Sequence, residues 1–180
     1  MRIIGFIVIV IVTVLGMYMG GGVMPIIDPG AILIVLGTAI GGFLMSAGPR
    51  VGAALGSAFS KAASEDDLRD GIRAFRMGRL GALTGGFFAM GAGALMALSN
   101  FSDAGAMGPG MALMVLGLFW GVFAAYFVLR PLQAGIERRL MAVGETAEIP
   151  SETALDLLVF GGGILSCAVV LSVLTMALGK

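Results

Sequence analysis

The chain has 180 residues, 58% hydrophobic and 12% charged, and its eleven Lys and Arg balance its eleven Asp and Glu. So few charges cannot cover a soluble surface, which excludes a water-soluble globule of ordinary composition. With no histidine and one cysteine, Cys167, there is no ligand set for zinc, haem or an iron–sulfur cluster and no internal disulfide, so no metal and no cofactor is expected.

Five apolar runs follow one another: Ile3–Met19, Gly30–Ala47, Leu80–Leu98, Pro109–Leu129 and Leu155–Leu178. The one charge inside them is Asp156. A helix needs about 20 mostly apolar residues to cross the hydrocarbon layer, with about 17–25 as the usual range. The expected fold is therefore all-α: a polytopic membrane helix bundle of five transmembrane helices with short amphipathic cytoplasmic helices. Residues 1–47 hold helices 1 and 2, 48–79 the basic cytoplasmic helices, and 80–130 helices 3 and 4. Residues 131–152 hold another amphipathic helix and 153–180 helix 5. The first run is read as a retained span, because it is longer than a signal-peptide core and no small-x-small cleavage site follows it.

Arginine and lysine orient these spans. The connections 20–29 and 99–108 have none, whereas 48–79 carries Arg50, Lys61, Arg69, Arg73, Arg76 and Arg79, and Arg130, Arg138 and Arg139 follow the fourth run. Alternation collects these nine and Arg2 on one side, leaving Lys180 opposite. The positive-inside rule makes that side cytoplasmic, with the N-terminus inside and the C-terminus outside.

Within the runs, glycines recur four apart at Gly16/Gly20, Gly37/Gly41, Gly81/Gly85 and Gly117/Gly121. Lipid gives no hydrophobic drive to helix association, so smooth small-residue grooves point to close packing within a bundle and between subunits. In the first basic segment, Val51, Ala54, Leu55, Ala58 and Phe59 share a helical face. Ser64-Glu65-Asp66-Asp67 has the form of a capping box, so a helix begins there, with acids in its first turn. Leu68, Ile72 and Phe75 make its apolar stripe. Arg69, Arg73 and Arg76 flank that stripe as a basic one, fitted to lipid phosphates or to an acidic partner. Leu132, Ile136, Leu140 and Val143 predict another amphipathic helix.

No nucleophile–base pair can be assembled without histidine, and no Gly-x-Gly-x-x-Gly opens a soluble helix. The chain is not expected to be an enzyme or to bind nucleic acid. Asp28 and Asp103 stand isolated in the outer connections.

Two stretches carry a resemblance. Asp28-Pro29-Gly30-Ala31-Ile32-Leu33-Ile34-Val35-Leu36-Gly37-Thr38 is similar to the start of the second span in the MotA/PomA family of flagellar stator subunits. Ala97-Leu98-Ser99-Asn100 with Gly108-Pro109-Gly110-Met111 resembles that family's junction between spans three and four, and Pro131 sits where the family has a proline. The TolQ/ExbB proteins belong to the same superfamily. The resemblance implies a bacterial inner-membrane protein that forms a ring, usually of five subunits. Such a ring surrounds single-span partners that carry an aspartate, and ion passage drives mechanical work. This chain departs from the pattern. Leu83 and Met90 stand at the family's proline and threonine positions in span three, and Gly117 and Leu118 stand where span four is often polar. The family's cytoplasmic domain is reduced to about thirty residues, and a fifth span is added. Thr84, the nearest polar replacement, and Asp156, at the start of the fifth span, are the candidates for the ion pathway. A non-conducting assembly subunit on the same scaffold is the alternative.

Overall fold

The computed structural model describes residues 27–60, 63–101 and 103–142, and six positions of the first run (8, 11, 12, 15, 18 and 19), which are helical and exposed. The rest of the first run and the whole of the fifth, including Asp156, lie outside the described residues. The elements from residue 27 onward are helical: α1 (Pro29–Ala47), a 3-10 turn (Gly48–Arg50), α2 (Val51–Gly56), α3 (Glu65–Ser99), α4 (Ala104–Val122), a π segment (Phe123–Leu129) and α5 (Arg130–Ala142). Three stretches are long and apolar enough to cross a membrane: Pro29–Gly56, Glu65–Ser99 and Gly105–Ala142.

Each helix start is written in the sequence. Asp28 caps α1, its Oδ1 accepting from the Gly30 amide at 2.9 Å, and Pro29 fills a first-turn position that needs no N–H. Asp103 caps α4 in the same way, accepting from Gly105 at 2.9 Å and Ala106 at 3.4 Å. Both aspartates therefore have a structural task at the same end of the bundle. Ser64 and Asp67 complete the expected capping box of α3. The Ser64 hydroxyl accepts from the Asp67 amide at 3.2 Å, and Asp67 accepts from the Ser64 amide at 3.2 Å and its hydroxyl at 2.7 Å. The Ser64 hydroxyl bond, more than the backbone one or Arg50, holds the Asp67 carboxyl below its ordinary 3.8.

Sequence periodicity suggests separate amphipathic helices on the basic side, but these are continuous with the spans. α3 runs unbroken through 35 residues, about 52 Å at 1.5 Å per residue. The hydrocarbon layer is about 30 Å thick, so the polar first third of α3 stands clear of it. No proline interrupts residues 64–99, and glycine alone weakens a helix without ending it. Likewise α4, the π segment and α5 form one rod.

The π segment has a local cause and a geometric effect. It lies directly before Pro131, which lacks an N–H and whose ring crowds the carbonyl four residues earlier. A wider turn relieves that crowding. Between Gly117 and Gln133 the buried positions of the rod are Gly117, Gly121, Ala125, Leu129 and Gln133, each four after the last, and Glu137 continues the row. In a regular α-helix a step of four overshoots a full turn by about 40°. The wider π turns take back that drift and keep the stripe against α3.

α3 is the central helix, packed on α1 along one side and on α4 along the other. Glycine sets both crossings. On the α4 side, a Cβ added at Gly110 would lie 2.6 Å from the Ala97 nitrogen and 2.8 Å from the Gly93 carbonyl oxygen. One at Gly121 would lie 2.9 Å from the Gly86 Cα. On the α1 side, Gly81 and Gly85 pack on Thr38, Gly42 on the Met77 carbonyl, and Gly78 under the Phe43 ring. Gly81/Gly85 and Gly117/Gly121 thus line helix contacts, as their spacing suggests. Among the described residues Gly37 and Gly41 do not: a Cβ added at either would meet nothing within 4 Å. The buried face of α1 is Ala31, Val35, Ala39, Gly42 and Phe43, so its contact glycine is Gly42.

At the basic end a mixed core forms. Phe43 and Phe75 meet edge to face at 5.3 Å, beside Ala54, Leu68, Ile136 and Leu140. Ala54 is buried and Val51, Leu55 and Ala58 pack around it, whereas Phe59 projects outward.

Candidate functional site

Three features carry the polar chemistry of the described residues. The first is the outward face of α3. Met77, Thr84, Phe88, Gly91, Leu95 and Leu98 follow helical spacing, and all are exposed. Thr84 is the polar side chain in the apolar stretch 80–98. Its hydroxyl donates back to its own helix, with the Leu80 and Gly81 carbonyls at 2.9 and 3.0 Å. The oxygen lone pairs remain available to a water, an ion or a neighbouring helix. Thr38 makes the same backbone bonds to Ile34 and Val35 but is turned towards Gly81 and Gly85.

The positions that depart from the resembled pattern fall elsewhere. Met90 is buried with Met107 and Met114 between α3 and α4, a use that suits methionine's adaptable side chain. Gly117 is closed over by Ala89, and Leu83 lies in the core shared with α1. Leu118 is half-buried and lines a groove on α4. Thr84 and Met90 therefore sit on different faces of α3, one outward and one in the α3–α4 seam.

The second feature is a polar layer that the sequence patterns do not reveal. Below the π segment, Glu137 accepts from Gln133 Nε2 at 2.8 Å and from Arg130 Nη1 at 3.3 Å. Gln133 is 0% exposed and Arg79 of α3 is 1% exposed. Nearby, Arg139 reaches across to the end of α2. Its Nη1 donates to the carbonyls of Ser57 and Ser60 at 3.0 and 2.8 Å, and its Nη2 to that of Ala58 at 3.4 Å. A guanidinium on the carbonyls of the turn that follows a helix fills acceptors that the backbone there leaves open. Arg139 thus anchors the 57–60 turn to α5. In the sequence it counts as a topology charge, and only its distance in the chain from Ser57 hides its partner.

The third feature is the basic ridge of α3. Arg69 pairs with Glu65 at 2.9 Å, a favourable i, i+4 arrangement on an exposed face. Arg73 is exposed and Arg76 half-buried on the same side. Arg50 reaches Asp70 at 3.6 Å. The ridge lies on the polar first part of α3, whereas Thr84 lies in its apolar part.

Comparison with known proteins finds a likeness in the N-terminal part. Residues 3–71 match the family model of the motility protein A N-terminal region, covering the first apolar run, α1, α2 and the capped start of α3. No curated protein matches the chain. The match begins in the first run and takes in the Asp28-Pro29-Gly30 start of α1, one of the two stretches that carry the resemblance. The chain thus combines three helices long and apolar enough to cross a membrane with an N-terminal region similar to that of motility protein A.

Proposed function

We propose that this chain is a ring-forming subunit that passes ions together with a single-span membrane partner and so drives mechanical work on another component. The observation that carries this reading is the outward face of α3. A membrane-embedded hydroxyl, Thr84, stands exposed there on one face with Phe88, Gly91 and Leu95. The apolar stretches 30–47, 80–98 and 109–129 contain no Asp, Glu, Lys or Arg. An ion in that setting is costly without a counter-charge. The reading therefore needs a carboxylate from a partner helix laid along this face, or from Asp156, while Thr84 supplies a lone pair. The membrane is the bacterial inner membrane, with α2, α5 and the basic ridge in the cytoplasm. The ridge of Arg69, Arg73 and Arg76 then lies level with lipid phosphates or with the moving component.

Ion flux into liposomes holding the chain and its co-purifying partner tests this. The expected result is flux driven by an imposed potential, reduced several-fold by Thr84→Val with assembly unchanged. Absence of flux with every partner and potential contradicts it.

A second reading is favoured by a different observation. Met90 and Gly117 are committed to the α3–α4 seam, so the positions that are polar in the resembled family serve packing here. On this reading the chain is a non-conducting assembly subunit of a larger membrane complex. A homogeneous ring without a stable partner argues against it.

A further inference from the structure

Among the described residues, one face of the bundle is built of large, half-buried rings and carries a groove. Along α4 and the π segment, Val115, Leu118, Phe119, Val122, Phe123 and Phe127 line an apolar groove of about 440 Å³. Phe119 stacks on Phe123 and Phe123 on Phe127, with centroids 6.1 and 5.6 Å apart. The π segment produces this ladder, because a four-residue step there nearly completes a turn. Val115 to Phe127 covers about 18 Å of helix, more than half the hydrocarbon thickness.

From the length and course of the chain beyond α5, we infer that the fifth apolar run, Leu155–Leu178, lies antiparallel in this groove of its own subunit. The described chain ends at Ala142, after the 13 residues of α5 have carried it about 20 Å beyond the end of the π segment. The connection 143–154 has 12 residues and spans up to about 40 Å when extended. It is long enough to return to the membrane beside α4, and consecutive elements are usually neighbours. The competing occupant, Ile3–Met19, is joined to α1 by a short connection at the opposite end. α1 has an outward face of its own in Leu33, Leu36, Gly37 and Ile40.

Depth supports the pairing. Counted from the basic end, Gly161–Gly163 lie six to eight residues into the fifth run from Leu155, and Phe123 lies six residues in from Leu129. Both are about 9 Å deep. The glycine triplet thus meets the groove where the rings are bulkiest, and a helix without side chains there can approach closely. Cys167 lies twelve residues in and Leu118 eleven. The placement concerns the span alone and stands whether or not the chain conducts.

Cys167 is the only cysteine, so oxidative cross-linking of the full chain in native membranes tests the placement. Leu118→Cys, Leu36→Cys and Gly91→Cys put a second thiol at equal depth, eleven residues in, on α4, α1 and α3. The expected result is an intrachain disulfide with Cys167 for Leu118→Cys, formed at least ten-fold faster than for the other two. In a Cys167→Ser background, Gly162→Cys with Phe123→Cys should cross-link as well. Equal or faster reaction from Leu36→Cys or Gly91→Cys overturns the placement. Disulfides only between chains, or none from either groove pair, overturn it too.

Discussion

Gly110→Ala lowers the unfolding temperature of the purified protein, whereas Gly91→Ala leaves it unchanged or raises it. The two glycines lie on neighbouring helices, and the added methyl is the same. In a helix interior alanine is favoured over glycine by roughly 1 kcal/mol, and at Gly91 nothing lies within 4 Å to oppose that gain. At Gly110 the new methyl meets backbone, the Ala97 nitrogen at 2.6 Å and the Gly93 oxygen at 2.8 Å. A backbone wall cannot turn aside as a side chain can, so α3 and α4 must separate. Overpacking costs about 1–3 kcal/mol in ordinary cores. Here the separation also loosens Gly86 against Gly121 and Met90 against Met114 along the same seam, which places the cost at the upper end. The net effect therefore changes sign between the two sites. Thermal unfolding in one detergent, followed by helical circular dichroism, measures it. Equal behaviour of the two variants would contradict the packing described for α3 and α4.

Glu137→Leu costs about 1–3 kcal/mol, while Arg130→Ala costs less than about 1 kcal/mol, although the two side chains form one ion pair. The asymmetry follows from exposure. The Arg130 side chain is 41% exposed and that of Glu137 8%, so an Arg130 that loses its partner turns to water. Gln133 is 0% exposed and cannot. When the Glu137 carboxylate is removed, the 2.8 Å bond from Gln133 Nε2 loses its acceptor inside the protein. That lost bond, more than the exposed ion pair, sets the penalty. Glu137→Gln keeps an oxygen at the same place and should restore most of the stability. Denaturant unfolding of the three variants separates these contributions. A Glu137→Gln variant as weak as Glu137→Leu would show that charge governs the layer.

Several parts of this arrangement are legible in the sequence for physical reasons. Three of the five apolar runs fall in helices long enough to span, because length and hydropathy alone decide that. The α3 cap is readable because Ser64 and Asp67 act on each other over three residues. Leu132, Ile136 and Leu140 share a face because α5 is a regular helix. What escapes the sequence depends on phase or on distance. Gly37, Gly41 and Gly42 offer two phases for α1, and the four-residue rule selects Gly37 and Gly41, which pack on no other described helix. The stripe Ala31–Val35–Ala39–Phe43 selects Gly42. The merging of the helices at the basic end with the spans is hidden, since a change from polar to apolar residues resembles a boundary although nothing in the backbone stops there. The buried layer of Arg79, Gln133 and Glu137 depends on the π segment, which turns residues 133 and 137 onto the stripe begun at Gly117. Thr84 is found from its type, and its outward direction only from the packing of Gly81 and Gly85 against Thr38.

On the proposed function, the outward face of α3 lines the inside of a ring. Cryo-electron microscopy of the protein extracted in mild detergent, with mass spectrometry of whatever co-purifies, tests it most directly. The expected result is a closed ring of copies around one or two single-span helices, with Thr84 turned towards them. A monomer, or a copy seated on the rim of another complex with Thr84 facing lipid, would contradict it.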